Sequence, residues 1–349
     1  MSKQQTRQRH LRKKELFCSV RSLRSLCTLL KIDQRRLLLM AKQPKYKTFN
    51  IPKKGGGERT IEAPAADLKR VLGRLNGYLQ SAYYFEKSKA AHGFILGVKN
   101  DEDRRNVVTN AKKHLGKAYL LNIDLKNFFH TVTRERIVKI FEGKPFRFKR
   151  QLPEVLADLV CYQGRLPMGT PTSPVLSNFA CRELDAALVQ FAEEMLWAYS
   201  RYADDMSFSS NQMIRAEKVN SLRHIIKQQG FVINERKLKI YEPHEPKIVT
   251  GLLVSQNKVE LAPDYLPNLK QEILHLGSVY RIQNEQGQLT TKWVEEFKQQ
   301  VRGRLNFAGF VLKRNHPDYI QLKDQFILAI NPPEEEFGAI SWRGFPYNF

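Results

Sequence analysis

The chain has 349 residues, and its apolar side chains, 42% of the total, are spread along its length. That excludes a disordered composition and suffices for two or three packed subdomains. A formal net charge of +23 and a pI of about 9.9 make a polyanion the expected partner, through charge neutralisation and counterion release. An anionic membrane surface is the competing polyanion. The four cysteines (Cys18, Cys27, Cys161 and Cys181) form no C-x-x-C pair and have no histidine cluster beside them. They read as free thiols of a cytosolic protein, not as zinc or redox ligands. No secretory signal is visible, and Leu26–Met40 carries Lys31, Asp33, Arg35 and Arg36, too many charges to span a bilayer.

Residues 1–60 hold seventeen Lys or Arg against Glu15, Asp33 and Glu58. Within them Leu16–Leu30 and Gln34–Ala41 have helical apolar spacing. The glycine-rich turn from Lys53 to Arg59 predicts a hairpin, out along Tyr46–Pro52 and back along Arg59–Glu62. Helices are expected over Leu68–Leu79 and Asp101–Lys113, then an apolar strand from Ala118 to Asp124. Thr172–Phe191 reads as one helix. Trp197–Tyr202, Ala203–Asp205 and Met206–Ser209 read as strand, tight turn and strand. A helix over Ile214–Gln229 stops at Gly230. Short strands are expected at Phe231–Asn234 and Lys239–Tyr241, and a hairpin pairs Val249–Val254 with Lys258–Leu261. From Pro263 the pattern turns helical, over Tyr265–Ile282, Thr291–Leu312 and Asp318–Ile330. The fold class is α+β, an antiparallel sheet with helices on one face.

The chemistry sits in the carboxylates. Nucleotidyl transfer needs charge neutralisation on a triphosphate and a deprotonated sugar hydroxyl, and two Mg²⁺ ions can supply both. Mg²⁺ takes hard oxygen ligands. Asp124 ends one expected strand, and Asp204 and Asp205 lie in the turn of an expected hairpin. If the two strands are neighbours, three carboxylates meet at one sheet edge. Singly, each has a bland reading: Asp-Asp as turn chemistry, Asp124 as a helix N-cap. Together, on apolar strands, they point to metal binding.

Tyr202-Ala203-Asp204-Asp205 resembles the Y-x-D-D motif of reverse transcriptases. Asn122 to Phe129 resembles that family's first catalytic strand, with its aspartate and an aromatic five residues on. Leu166 to Pro174 is similar to its P-x-G…S-P segment, and Gly230–Asn234 with Lys237 to the motif that follows. Asn110-Ala111-Lys112-Lys113-His114 resembles the N-A-x-x-H element of the bacterial retron branch, and Val249-Thr250-Gly251 its V-T-G element. Ala91–Phe94 and Arg59–Pro64 also fit bacterial reverse transcriptases. The resemblance covers about Lys53 to Phe310.

It implies a right-hand polymerase fold. Residues 1–49 would be a basic helical segment, 50–115 the fingers, 116–262 the palm with a fingers insertion at about 135–168, and 263–349 a helical thumb. Asp124 and Asp204 would bridge two Mg²⁺ ions, with Asp205 helping and the Leu125 carbonyl as a further ligand. Arg59, Lys69, Phe129, Met168 and Gly169 would meet the deoxynucleotide, Phe129 as the gate against a 2′-hydroxyl. Tyr202 would position the primer end. Lys237, Asn110, His114, Thr250, Arg302, Arg304 and Lys313 would contact primer, template or RNA. The enzyme would copy part of a structured noncoding RNA (msr–msd type) into DNA. It would prime from a 2′-hydroxyl to give an RNA–DNA product, in the bacterial cytoplasm, in anti-phage defence with a separate effector protein and no membrane. The open alternatives are another bacterial reverse transcriptase (group II intron-like or phage-defence type), a catalytically silent RNA binder, and a two-metal nuclease.

Overall fold

A computed structural model describes residues 3–53, 56–98, 101–285 and 291–331. Lys54 and Gly55 of the expected hairpin turn, and the tail from 332 on, lie outside the described residues. The chain divides into two compact units, Met1–Val259 and Glu260–Phe349.

The first unit opens with α1 (Lys3–Cys18), α2 (Leu23–Leu30) and α3 (Gln34–Lys42). The single helix expected over Leu16–Leu30 is thus two. Ser22 breaks it, because its hydroxyl caps the Ser25 N–H while Ser25 caps back, satisfying N–H groups that a new helix start exposes. The hairpin is β1 (Tyr46–Pro52) and β2 (Glu58–Pro64), followed by α4 (Ala66–Glu86). Only Val107–Lys112 of the helix expected over Asp101–Lys113 forms, as α5, because Asn106 caps its start. Then come β3 (Tyr119–Asp124), α6 (Arg134–Glu142), α7 (Leu152–Val160), α8 (Ser173–Ala180) and α9 (Arg182–Glu194). The last two replace one expected helix, with the break at Cys181. The hairpin β4 (Ala198–Tyr202) and β5 (Asp205–Ser210) leads to α10 (Ala216–Gln228). Phe231–Asn234 is not a strand, since only Ile233 bridges to Leu125; a 3₁₀ turn over Glu235–Lys237 follows. β6 (Lys239–Tyr241), β7 (Lys247–Val249), β8 (Leu252–Val254) and β9 (Val259–Leu261) complete the strands. The strand expected over Val249–Val254 is folded in two at Thr250-Gly251, both in the left-handed region.

The central sheet has the order β4-β5-β3-β6, antiparallel at each pairing. α9 packs against β4 of this sheet. An aromatic knot of Phe17, Phe141, Phe146, Phe148 and Phe179 ties α1 into this core: Phe17 meets Phe146 and Phe148 edge-on at 5.6 and 5.3 Å. Cys27, Cys161 and Cys181 are buried thiols and Cys18 is partly so.

The second unit holds α11 (Tyr265–Glu285), α12 (Lys292–Leu312) and α13 (Pro317–Ile330). Leu269, Ile273, Leu276, Val301, Leu305 and Leu322 are buried in it. Arg304 pairs with Glu272 and lies over the Tyr265 ring. Among the described residues no helix is long and apolar enough to cross a membrane.

Candidate active site

Side chains alternate across a strand, so register decides what shares a face. Asp124 pairs with Asp205, Asn122 with Ser207, and Leu120 with Ser209. Across the other ladder Tyr202 pairs with Asp205 and Ser200 with Ser207. One face therefore carries Asp124, Asp205, Tyr202, Asn122, Ser200, Ser207 and Ser209. The opposite face carries Leu121, Ile123, Tyr199, Met206 and Phe208, which are core. The third carboxylate, Asp204, is in the turn, and its carbonyl accepts the Leu125 N–H at 3.0 Å. Asp124 and the adjacent Asp204 and Asp205, far from it in sequence, are so brought to one end of β3 and β5.

Their charges act on one another. Asp204 is raised above the usual carboxylate range, first by loss of water and then by Asp124. Asp205 is pushed up to about 7, by loss of water and then by Asp204 and Asp124, although the residue as a whole is exposed. The cations are few. Lys237 donates to Asp124 Oδ2 at 2.9 Å, Asn234 donates to Oδ1 at 3.2 Å, and Arg59 acts on Asp204 from the β2 hairpin. The donor set is all oxygen and excess negative, which suits a hard divalent cation. The side chains are not already gathered for one: among the described residues no three acidic, His or Cys groups surround a common point. The adjoining cavity, about 540 Å³, is lined by Asp124, Asp205, Asn122, Lys237, Tyr241 and Thr250 among others.

The turn itself is held from below by residues the sequence reading did not select. Arg201 is fully buried and grips Asp185 of α9 with two hydrogen bonds of 2.7 Å. Its Nη1 donates at 3.0 Å to the Ala203 carbonyl, inside the turn, and at 3.0 Å to Asn178 Oδ1. Asn178 in turn donates to the Gly93 carbonyl at 2.9 Å. Ala203 lies at φ 58, a conformation that costs a non-glycine residue energy. Gly93 touches the turn so closely that a Cβ there would stand 2.7 Å from the Ala203 nitrogen. The signal in the sequence was an arginine at a strand position that alternation assigns to the same face as Tyr199.

A second buried ion pair joins β2 to the segment before α8. Glu62, 3% exposed, takes two hydrogen bonds from Arg165, at 3.0 and 2.8 Å, and one from the Met168 N–H at 3.1 Å. Burial alone would raise its pKa, but Arg165 and Met168 hold it below the usual range. Gly169, at φ +128, is where this segment passes the hairpin: a Cβ would lie 3.0 Å from the Glu62 carbonyl. Phe129 is half-buried between Phe94 and the buried Phe128. Lys69 is exposed in the first turn of α4.

Three residues expected at RNA or template contacts have partners within the fold. His114 is 2% exposed, and its Nδ1 and Nε2 lie 2.7 and 2.8 Å from the hydroxyls of Ser209 and Ser200. It follows α5 and joins it to the polar sheet face. Asn110, 1% exposed, donates to Thr250 Oγ1 at 3.4 Å, so the two short motifs at 110 and 250 meet each other. Arg304 is spent inside its own unit. Arg302 and Lys313 remain exposed.

Residues 51–277 match the reverse transcriptase (RNA-dependent DNA polymerase) family, and the chain belongs to it. Within that family it is a bacterial retron reverse transcriptase. It is 31% identical over 271 residues to the retron Ec86 reverse transcriptase of Escherichia coli, covering 76% of this chain and 81% of that one. It is 31% identical over 229 residues to the retron Mx65 reverse transcriptase of Myxococcus xanthus, covering 60% of this chain and 51% of the relative. The retron Ec48 reverse transcriptase of Escherichia coli is 25% identical over 326 residues, 90% of this chain and 77% of the relative. The chain is an RNA-directed DNA polymerase of the α+β class, and its family works with divalent metal ions and deoxynucleotides on an RNA template.

Proposed function

We propose that the chain copies part of a structured noncoding RNA into DNA at the Asp124–Asp204–Asp205 cluster, with two Mg²⁺ ions. The observation that carries this is the register of β3 and β5, which sets Asp124 beside Asp205. Asp124 and Asp204 would hold the ions, with Asp205 and the Leu125 carbonyl as further ligands, and Lys237 balances part of the charge on Asp124. When bound, the ions supply charge neutralisation on the triphosphate and activation of the attacking hydroxyl. Arg59 and Lys69 bind the triphosphate, Arg59 by the bidentate geometry of its guanidinium. Met168 and Gly169 border the nucleotide, Phe129 excludes a 2′-hydroxyl, and Tyr202 positions the primer end. Residues 50–115 act as fingers, 116–262 as palm and 263–349 as thumb, with Arg302 and Lys313 on the duplex.

Likeness to retron reverse transcriptases supports the finer reading. The partner is an RNA of the msr–msd type, priming is from a 2′-hydroxyl, and the product is DNA branched from RNA. The setting is anti-phage defence in the cytoplasm, with a separate effector. The test is to express the protein from its native locus and extract the nucleic acid that copurifies. A small DNA whose gel mobility shifts after both RNase and 2′–5′ debranching is expected. RNA with no DNA attached refutes the branched product.

A further inference from the structure

We infer that the outer face of α1 is a docking surface for the phosphate backbone of folded RNA. This rests on the reading of the chain as an enzyme that copies a folded RNA partner, and it names a second place where that partner is held.

The two faces of α1 are used differently. Its inner face is spent on α4: Phe17 stacks on Tyr78 at 5.6 Å, His10 meets the Ser81 hydroxyl at 3.0 Å, and Lys14 pairs with Glu86 at 2.6 Å. Its outer face borders a cavity of about 650 Å³ lined by Arg9, Arg12, Lys13, Gln8, Leu16 and Tyr78 among others, with no carboxylate in the lining. None of these residues lines the carboxylate cleft. Arg9, Arg12 and Lys13 stand at i, i+3 and i+4, so they are neighbours on the helix surface and repel one another. Among the described residues none of the three has an ion-pair partner. Exposed arginines elsewhere do find acids, as in Arg36–Asp67 and Arg223–Glu235. That repulsion among Arg9, Arg12 and Lys13 costs helix stability, and a polyanion lying along the face restores it.

RNA fits better than a membrane. An interfacial helix turns a broad apolar stripe outward, and here Leu16 is exposed alone among the cations while Phe17 turns inward. The outer face instead offers cations and the Gln8 amide, groups that bind phosphate and 2′-hydroxyl without reading sequence.

The test uses the full chain, freed of nucleic acid, and a synthetic RNA hairpin of about 16 base pairs, the span of one shape-reading contact. Arg9→Gln/Arg12→Gln/Lys13→Gln is expected to lose about 10- to 100-fold in affinity at low salt. Its plot of log affinity against log salt flattens by about 2–3. Arg9→Lys/Arg12→Lys, which keeps the charge, retains the affinity and slope of the unmodified protein. All three proteins extend oligo(dT) on poly(rA) equally, because the face is not part of the catalytic cleft. If the triple variant does not fold, Arg12→Gln alone is read by a slope change of about 1. An unchanged affinity and slope overturn the inference. So does loss of binding to phosphatidylglycerol vesicles with RNA affinity retained. An unmodified protein that fails on poly(rA) refutes the polymerase reading, and the hairpin comparison still decides the role of α1.

Discussion

The two faces of the four-stranded sheet are built on opposite principles, though each strand contributes to both. The apolar face buries Leu121, Ile123, Tyr199, Met206 and Phe208, and the single charge admitted there, Arg201, is matched by Asp185 to within 2.7 Å. The polar face buries Ser200, Ser207, Ser209 and His114 in a hydrogen-bonded layer, and at its end leaves three carboxylates with too few cations. On one face charge is neutralised within the fold; on the other, neutralisation is left to what binds. Stability is concentrated on the first face and chemistry on the second.

That division can be broken from either side. The largest effect is expected at the carboxylates: Asp124→Asn or Asp204→Asn lowers primer extension by about 10³-fold or more, since several kcal/mol of metal-derived stabilisation go with it. Thermal unfolding stays near that of the unmodified protein. Substantial retained synthesis removes the assignment. Next comes Asp185→Asn, which leaves Arg201 buried and unpaired and costs about 3–5 kcal/mol of stability, measured by urea titration. The pair Asp185→Leu/Arg201→Met regains most of that stability, yet its kcat stays low because the Ala203 carbonyl has lost its donor. Full recovery of both would make Arg201 a packing residue only.

A smaller effect concerns pH. Burial, then Lys113 and Lys117, depress His114 from 6.5 to about 3. The unfolded chain therefore takes up a proton that the folded chain refuses. Stability is complete above pH 6.5 and falls as pH drops below it, by up to about 1.4 kcal/mol per unit until pH 3. His114→Gln, which can still bond the two serines, flattens the dependence of the urea midpoint on pH between 7 and 4.5. An identical slope in the variant would show that other groups govern it. The smallest effect is at Phe129. Phe129→Ala raises ribonucleotide incorporation relative to deoxynucleotide by about 10- to 100-fold in a primer-extension competition, and unchanged discrimination denies it the gate.

Much of this was legible in the sequence, because local signals carry it. The alternation in Tyr119–Asp124 and Asp205–Ser210 puts the carboxylates on one face, and the hairpin around Ala203 follows from its apolar flanks. What stayed hidden depends on partners far along the chain. Glu62 gives no local hint of Arg165, nor Asp185 of Arg201. The helix over Thr172–Phe191 has continuous periodicity, and only the packed structure breaks it at Cys181. His114 carries the residue type expected at an RNA contact, and two serines, 86 and 95 residues away, claim it instead.

Gly93 sets a limit on how such a chain can vary. A methyl group there would collide with the Ala203 nitrogen at 2.7 Å and crowd the Tyr202 carbonyl carbon at 3.2 Å. Those are main-chain atoms, which every residue possesses. No replacement at 202 or 203 can therefore make room, and no partner mutation can rescue the change. Lineages descending from this chain are free to exchange one buried ion pair for another, but at position 93 they inherit glycine or lose the present shape of the turn.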